Sequence, residues 1–210
     1  MKFSTQKLLT LAVLTASLGG ALSACAPILV GGVVMGSLMA TDRRTTGTQV
    51  EDEGIELRAA SRIRENLGER VHVNVTSYNR QVLITGEVPS AQDKLLAEQL
   101  VSRVENVRSI VNELAVLGHT TLTQRSSDTL VTGRVKAGFV DAKDLFSNAF
   151  KVVTERGTTY LMGRVTQREA DRATEVTRGI DGVQKVVRLV EIISEAELQS
   201  LQQAPVEPKK

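Results

Sequence analysis

The stretch "VNVTSYNRQVLITGEV" (residues 73–88) occurs twice in this chain in recognisable form. Its second copy, "FKVVTERGTTYLMGRV" (residues 150–165), aligns without a gap and keeps the glycine that stands two residues before the end. Two later stretches, "AEQLVSRVENVRSIV" (97–111) and "ATEVTRGIDGVQKVV" (173–187), match in the same way after one dropped residue. A repeat of this length predicts two copies of a small domain rather than a solenoid of short units.

Each copy carries the pattern of two helices and three strands. In the first copy the predicted elements are a helix ending near Leu67, strands at 71–75 and 82–88, a helix at 91–104 and a strand at 107–116. Two helices over one face of a three-stranded sheet is the economical packing for that order. We therefore expect an α+β fold with two tandem αββαβ domains, each a three-stranded mixed sheet with two helices on one face. Each copy is expected to fold around its own core.

This order of elements, the glycine after the hairpin and endings such as "DGVQKVV" (181–187) resemble the BON domain. The resemblance covers about 52–116 and 126–193. The whole layout is similar to the family of dual BON-domain outer-membrane lipoproteins associated with cell division and envelope stress. That resemblance implies binding of anionic phospholipid, principally through the second domain, a role in envelope integrity, no catalysis and no cofactor.

The N-terminus has the pattern of a secretion signal. Lys2 and Lys7 precede an almost uncharged apolar run, Leu8 to Leu22, which is too short to span a bilayer comfortably. The "LSAC" that ends at Cys25 resembles a bacterial lipobox, which implies a diacylglycerol on the Cys25 sulfur, cleavage before it and acylation of the new amino group. By the same resemblance, Ala26 in place of an aspartate favours the outer membrane. The alternative is an ordinary cleaved signal with an incidental cysteine.

Composition predicts the remaining boundaries. Residues 26–40 are apolar and Gly-rich, either a spacer or a segment lying against the bilayer, and residues 41–54 have no apolar period and are interpreted as a linker. The predicted organisation is a signal peptide at 1–24; an anchor, spacer and linker at 25–51; BON domains at 52–117 and 126–194 joined by a linker at 118–125; and a helical extension with a disordered tail at 195–210.

Charge and aromatic content argue against a nucleic-acid partner. Removing residues 1–24 takes away two lysines and lowers the net charge from +2 to zero, and the chain has no Trp. Residues 52–116 hold eight basic and ten acidic side chains, whereas residues 126–193 hold eleven basic and nine acidic ones. The cationic preference therefore falls on the second domain, although an ordinary solvated surface explains so small a difference as well.

The search for catalytic chemistry finds nothing. His72 is expected on the polar side of a strand and His119 in a linker, both solvated and without an orienting partner. Gly86 and Gly163 stand alone at strand positions, where close backbone approach explains them better than a phosphate cradle. With one cysteine and no metal-ligand or nucleophile motif, we expect no enzyme, no cofactor and no metal site.

The first helix of the second copy, within "SSDTLVTGRVKAGF" (126–139), supplies a candidate lipid contact. Ser127 or Asp128 is the expected N-cap, and one side carries the core positions Val131, Val135 and Phe139. The far side carries Leu130, Gly133, Arg134 and Ala137, and the following loop could extend it with Leu145 and Phe146. This surface is either an apolar wedge flanked by an arginine or simply one exposed leucine.

The corresponding helix of the first copy is expected to present Arg58, Arg62 and Glu65, a mixed charged surface without a wedge. That surface suits solvent or an envelope protein. The sequence thus predicts a periplasm-facing protein of the outer membrane whose partner is an anionic phospholipid membrane. The alternative is a non-enzymatic scaffold or quality-control factor for envelope proteins, with lipid serving only as anchor.

Overall fold

The computed structural model describes residues 42–118 and 120–203, with only the backbone for 202 and 203. All of them belong to one compact unit, Ala40–Lys210. The first half contains α1 (Thr46–Leu67), a 3₁₀ turn (Gly68–Arg70), β1 (His72–Tyr78), β2 (Gln81–Val88), α2 (Ala91–Ser102), β3 (Ser109–Asn112) and β4 (Ala115–Val116). The second half contains α3 (Leu122–Asp141), a 3₁₀ turn (Ser147–Ala149), β5 (Phe150–Glu155), β6 (Thr158–Val165), α4 (Gln167–Arg178), β7 (Lys185–Ile192) and α5 (Glu195–Gln203).

The two halves have the same mixed-sheet topology, which confirms the predicted fold class. In each, the central strand (β2 or β6) pairs antiparallel with the strand before it and parallel with the strand after the second helix. The predicted third strand of the first half, 107–116, is divided into β3 and β4, both paired with β2. The division falls at Leu114, which is buried in the core and whose N–H donates to the side chain of Asn112.

Each half encloses its own core between two helices and one face of its sheet. The helix α1 contributes every fourth residue from Ile55 to Leu67, and β2 contributes alternate residues from Val82. The second core is built in the same way around Phe139, whose ring centroid lies 5.2 Å from that of Phe150. Period-four burial on the helices and period-two burial on the strands explain why the sequence pattern predicted these faces.

A buried aspartate on the first helix of each half holds the hairpin turn. Asn79 and Arg80, like Arg156 and Gly157, have positive φ at both central positions, as in the primed turns that suit two-residue hairpins. The carboxylate of Asp128 accepts hydrogen bonds from the N–H groups of Arg156 (2.9 Å) and Gly157 (3.0 Å). Asp52 accepts from the N–H groups of Asn79 and Arg80 at 2.8 Å each.

This role corrects the predicted helix starts. Ser127 or Asp128 was expected as the N-cap, but α3 begins at Leu122 with Thr121 as its cap, and α1 begins at Thr46 with Thr45 as its cap. Both helices therefore extend into segments predicted as linkers. The sequence pattern missed these first turns because they carry few core residues, and the caps and the aspartate hold them instead.

The expectation for the two strand glycines is confirmed. A Cβ at Gly163 would lie 2.5 Å from the carbonyl oxygen of Ala149, the residue just before β5. At Gly86 the carbonyl oxygen of His72 is closer still, and φ is +114°. Close backbone approach, not ligand binding, requires glycine at both positions.

The sheet faces that carry no helices pack against each other. Tyr78 and Leu83 of the first half and Tyr160 and Met162 of the second form a third buried cluster. This explains why the central strands β2 and β6 are buried on both sides. The two copies therefore have separate cores but share an additional apolar interface.

The contacts across this interface are reciprocal, as expected for a pseudo-twofold pair. In one direction, Asn74 of the first half donates to Glu155 of the second (3.0 Å). In the other, Lys151, which occupies the position of Asn74 in the second copy, donates to the carbonyl oxygen of Ser77 (3.2 Å), next to Tyr78, which occupies the position of Glu155. The hydroxyl of Tyr78 accepts from the N–H of Arg164 (3.3 Å). The duplicated halves thus form an internal pair.

The segment just before α1 is folded onto both halves and is not a free linker. The Arg43 guanidinium donates to both carboxylate oxygens of Glu169 at 2.7 Å and to the carbonyl oxygen of Arg164 at 2.9 Å. Arg44 donates to Asp52 (2.8 Å), and its guanidinium lies 4.3 Å from the ring centroid of Tyr78. The prediction of a linker over 41–54 was wrong because a pair of arginines with no local apolar pattern gives no sign of distant partners.

Candidate lipid-contact surface

The helix α3 places the four predicted helical contact residues on its exposed side. Leu130, Gly133, Arg134 and Ala137 are all exposed, and Leu130 is 62% accessible. The three predicted core positions on the opposite side are all buried: Val131, Val135 and Phe139. The assignment of faces from helical spacing is therefore correct.

Sequence analysis missed one member of this surface. Val140, seven residues after Gly133 and so on the same side, is 67% exposed. Gly138 allows α3 to lie close to α4, because a Cβ at this position would come within 3.2 Å of Val176 and glycine has none.

The charged residues of α3 are three basic and two acidic, and one of the acidic ones is the buried Asp128. The exposed side of α3 is therefore apolar and cationic.

The two loop residues behave differently. Leu145 was expected to extend the contact surface, but it is only 8% exposed and belongs to the core of the second half. It turns inward because the preceding turn, closed by its N–H donating to Ala142, directs it under α3. Phe146 is 45% exposed, and the Arg43 guanidinium lies 5.9 Å from its ring centroid.

The equivalent helix of the first half is not free of apolar residues, which corrects the expectation. Leu57 is 74% exposed, and Val50 one heptad earlier is also exposed. The setting differs from that of Leu130, because α1 carries five acidic and three basic residues, with Glu51 and Glu53 beside Val50. The two helices thus offer apolar groups of similar exposure in opposite electrostatic surroundings.

His72 also differs from its prediction. Its side chain is 19% exposed, and its Nδ1 lies 2.9 Å from Oε2 of the buried Glu87. A carboxylate oxygen of Glu155, from the second half, lies within 4.8 Å of a side-chain nitrogen of His72 and a carboxylate oxygen of Glu87. Burial raises the pKa of Glu155, whereas at Glu87 hydrogen bonds from His72 and Thr120 outweigh burial and lower the pKa. The predicted lipidation residue, Cys25, and the other histidine, His119, lie outside the described residues.

In the described part of the chain, no helix is both long and apolar enough to cross a bilayer. The BON domain family matches residues 52–118 and 127–194. The outer membrane lipoprotein DolP of Haemophilus influenzae is 36% identical over 171 residues, which cover 80% of this chain and 88% of that protein. The 21 kDa hemolysin of Actinobacillus pleuropneumoniae is 32% identical over 154 residues, which cover 72% of this chain and 79% of that protein.

Among solved structures, the C-terminal domain of CdsD, the structural protein of the type III secretion system of Chlamydia trachomatis, has a TM-score of 0.29. It is 13% identical and covers 64% of this chain and 96% of that domain, a similarity too low to carry an argument. The sequence relatives carry the names of a lipoprotein and a hemolysin, not of enzymes. This chain belongs to the BON-domain family and is an outer-membrane lipoprotein.

Proposed function

We propose that the protein, anchored through lipid on Cys25, faces the periplasm and binds anionic phospholipid through the exposed side of α3. In this role it supports envelope integrity and catalyses no reaction. The contact consists of the α3 surface: Leu130, Gly133, Arg134, Ala137 and Val140. Phe146 lies next to this helix in the chain and is a second, partly exposed apolar group.

The proposal rests mainly on one observation: Leu130 is exposed on a helix that has more basic than acidic residues. Burying one such side chain stabilises a complex by about 1.5–3 kcal/mol. Each basic residue near an anionic surface adds about 1 kcal/mol. Arg134 is exposed and only weakly engaged, since its single hydrogen bond, to the carbonyl oxygen of Asp181, is 3.4 Å long. The helix can therefore present apolar and cationic groups to the headgroups together.

A liposome assay on the unit Ala40–Lys210 tests the proposal, because this unit lacks the anchor and any binding must come from the folded body. We expect binding to vesicles that contain phosphatidylglycerol and little binding to neutral vesicles. Leu130→Asp should weaken binding by about 2 kcal/mol or more, roughly thirtyfold. Arg134→Glu should act in the same direction and mainly at low salt, because exposed charges are screened within about 10 Å at 0.1 M salt.

The repeat offers a matched control. Leu57→Asp changes an equally exposed leucine on the equivalent helix of the first half and should leave liposome binding unchanged. Val135→Asp, on the core side of α3, should unfold the second half and so verify the assignment of faces. Unchanged affinity in a folded Leu130→Asp protein would reject α3 as the contact. A larger loss in Leu57→Asp would move the contact to the first half.

The second candidate function is a scaffold for envelope proteins. The exposed Leu57 and Val50 in acidic surroundings, and Leu95 exposed on α2, favour a protein partner for the first half over an anionic membrane. A scaffold of this kind should ignore liposomes of every composition. The same assay therefore separates the two functions.

A further inference from the structure

Among the described residues, one carboxylate oxygen buried at the interface between the halves has no hydrogen-bond partner. Glu87 is 1% exposed, and its Oε2 lies within hydrogen-bond distance of His72 Nδ1 (2.9 Å), the Thr120 hydroxyl (3.1 Å) and the Thr120 N–H (3.3 Å). Its Oε1 accepts no hydrogen bond from the described part of the chain and makes only a long ion pair, of 3.8 Å, with the Arg156 guanidinium. A buried polar atom left unpaired in this way calls for a ligand or another explanation.

A third possible ligand, Glu155, lies at the same point as His72 and Glu87. One ligand atom each from His72, Glu87 and Glu155 lies within 4.8 Å of the other two. His72 and Glu87 are paired neighbours on β1 and β2, and Glu155 ends β5 of the other half. One imidazole nitrogen and two carboxylate oxygens are a donor set that Zn²⁺ accepts. A divalent cation would also offset the repulsion between the two buried carboxylates.

We propose that His72, Glu87 and Glu155 form a divalent-cation site, best suited to Zn²⁺, that joins the two halves. Ligand atoms bound to Zn²⁺ at about 2.0–2.2 Å stand roughly 3.4 Å apart in a tetrahedral site, so side-chain shifts of about 1 Å complete it. An open cavity of about 370 Å³ borders His72 and Glu155, which gives the ion a path and leaves room for water as the fourth ligand.

Such an ion should stabilise the packing of one half on the other. A ligand that binds only the folded chain shifts the unfolding equilibrium about a hundredfold when its concentration is a hundred times Kd. The sequence pattern did not indicate this site, because its ligands come from both copies and meet only when the open sheet faces pack.

Calorimetric titration of chelator-treated Ala40–Lys210 with ZnCl₂ tests the proposal, with MgCl₂ as the comparison metal. We expect one Zn²⁺ per chain with Kd in the micromolar range, a rise in Tm with Zn²⁺ and no response to Mg²⁺. His72→Gln and Glu155→Gln should each lower Zn²⁺ affinity by at least about tenfold. Glu191→Gln is the matched control, since Glu191 also joins the halves, by accepting from Asn79 of the first half, but has no place in the cluster.

The wild-type titration decides the question even if one variant does not fold. Binding of Zn²⁺ no tighter than about 1 mM would overturn the proposal. So would tight binding that persists unchanged in a folded His72→Gln or Glu155→Gln protein, because the ion would then lie elsewhere. Loss of binding in Glu191→Gln but in neither cluster variant would have the same meaning.

Discussion

Arg43 and Glu169 form a bidentate ion pair with two nitrogen–oxygen distances of 2.7 Å, although 126 residues separate them in sequence. The Glu169 side chain is fully buried, and it also accepts the N–H of Thr166 in the capping box of α4. The pair therefore fixes the segment before the first domain to the second domain. Loss of this contact would leave the buried carboxylate of Glu169 without its cationic partner.

Replacing Arg43 should destabilise the folded body strongly. Arg43→Met leaves the Glu169 carboxylate buried without its partner, which costs about 3–5 kcal/mol. Urea unfolding of Ala40–Lys210 measures the loss. Arg58→Met, which removes an exposed pair with Glu51, is the control and should change stability by less than about 1 kcal/mol. Equal effects of the two substitutions would contradict a special role for Arg43.

The same pair should make stability depend on pH. Burial alone would raise the pKa of Glu169, but the hydrogen bonds from Arg43 and Thr166, together with the Arg43 charge, outweigh it and hold the pKa below its ordinary value of 4.5. The stabilisation is therefore fully present above the ordinary value and is lost as pH falls through the lower folded-state value. In Arg43→Met only the hydrogen bonds from Thr166 still oppose burial, so the folded-state pKa of Glu169 should rise. The stability gap between wild type and variant should narrow from about pH 7 to about pH 4, as urea unfolding at both values would show.

The strand glycines should be intolerant of a methyl group. Gly86→Ala should cost at least about 3 kcal/mol, because a Cβ would clash with the carbonyl oxygen of His72 at a strained φ. Gly133→Ala should instead raise stability by about 0.5–1 kcal/mol, since it lies inside α3 with no atom within 4 Å of the added carbon. Thermal unfolding of both variants checks this. A mild effect of Gly86→Ala would mean that the two strands can separate.

The two turn-holding aspartates should differ in importance. Asp128→Asn removes the charge that accepts two backbone N–H groups and should cost about 1–3 kcal/mol. Asp52→Asn should cost more, because Asp52 also accepts from the Ser77 hydroxyl and pairs with Arg44. Urea unfolding ranks the two variants. The reverse order would show that the Arg44 pair contributes no net stability.

The anchor proposal predicts the fate of Cys25→Ala in cells. Without the thiol no diacylglycerol can be attached, so the variant should accumulate as a larger precursor or be mis-sorted. Metabolic labelling with a fatty acid measures the modification directly. Label on the Cys25→Ala protein, or none on the natural protein, would refute the anchor.

Local patterns were enough to predict the fold and the faces of the helices. The period-four spacing of Val131, Val135 and Phe139 placed Leu130 outward, and the alternation of Val71, Val73 and Val75 indicated the first strand of the sheet. The glycine positions were also interpretable, because a lone glycine in a strand has few physical causes.

The features that were missed depend on distant partners. Arg43 has no local signal for Glu169, and Asp128 resembles an N-cap until the hairpin turn closes over it. Leu145 was predicted to be a loop residue that could reach lipid, but it is buried in the core of the second half. His72 seemed solvated because the partner half covers it only after the sheets pack.

The Arg43 contact also determines which domain the N-terminal segment joins. Because Arg43 is held at the start of α4, the N-terminal segment joins the body at the second domain, although the first domain follows it in sequence. The eighteen residue-to-residue steps from Cys25 to Arg43 span at most about 65 Å when fully extended. If lipid is attached to Cys25 as proposed above, the second domain, which contains α3, is the part of the body held within that distance of the bilayer.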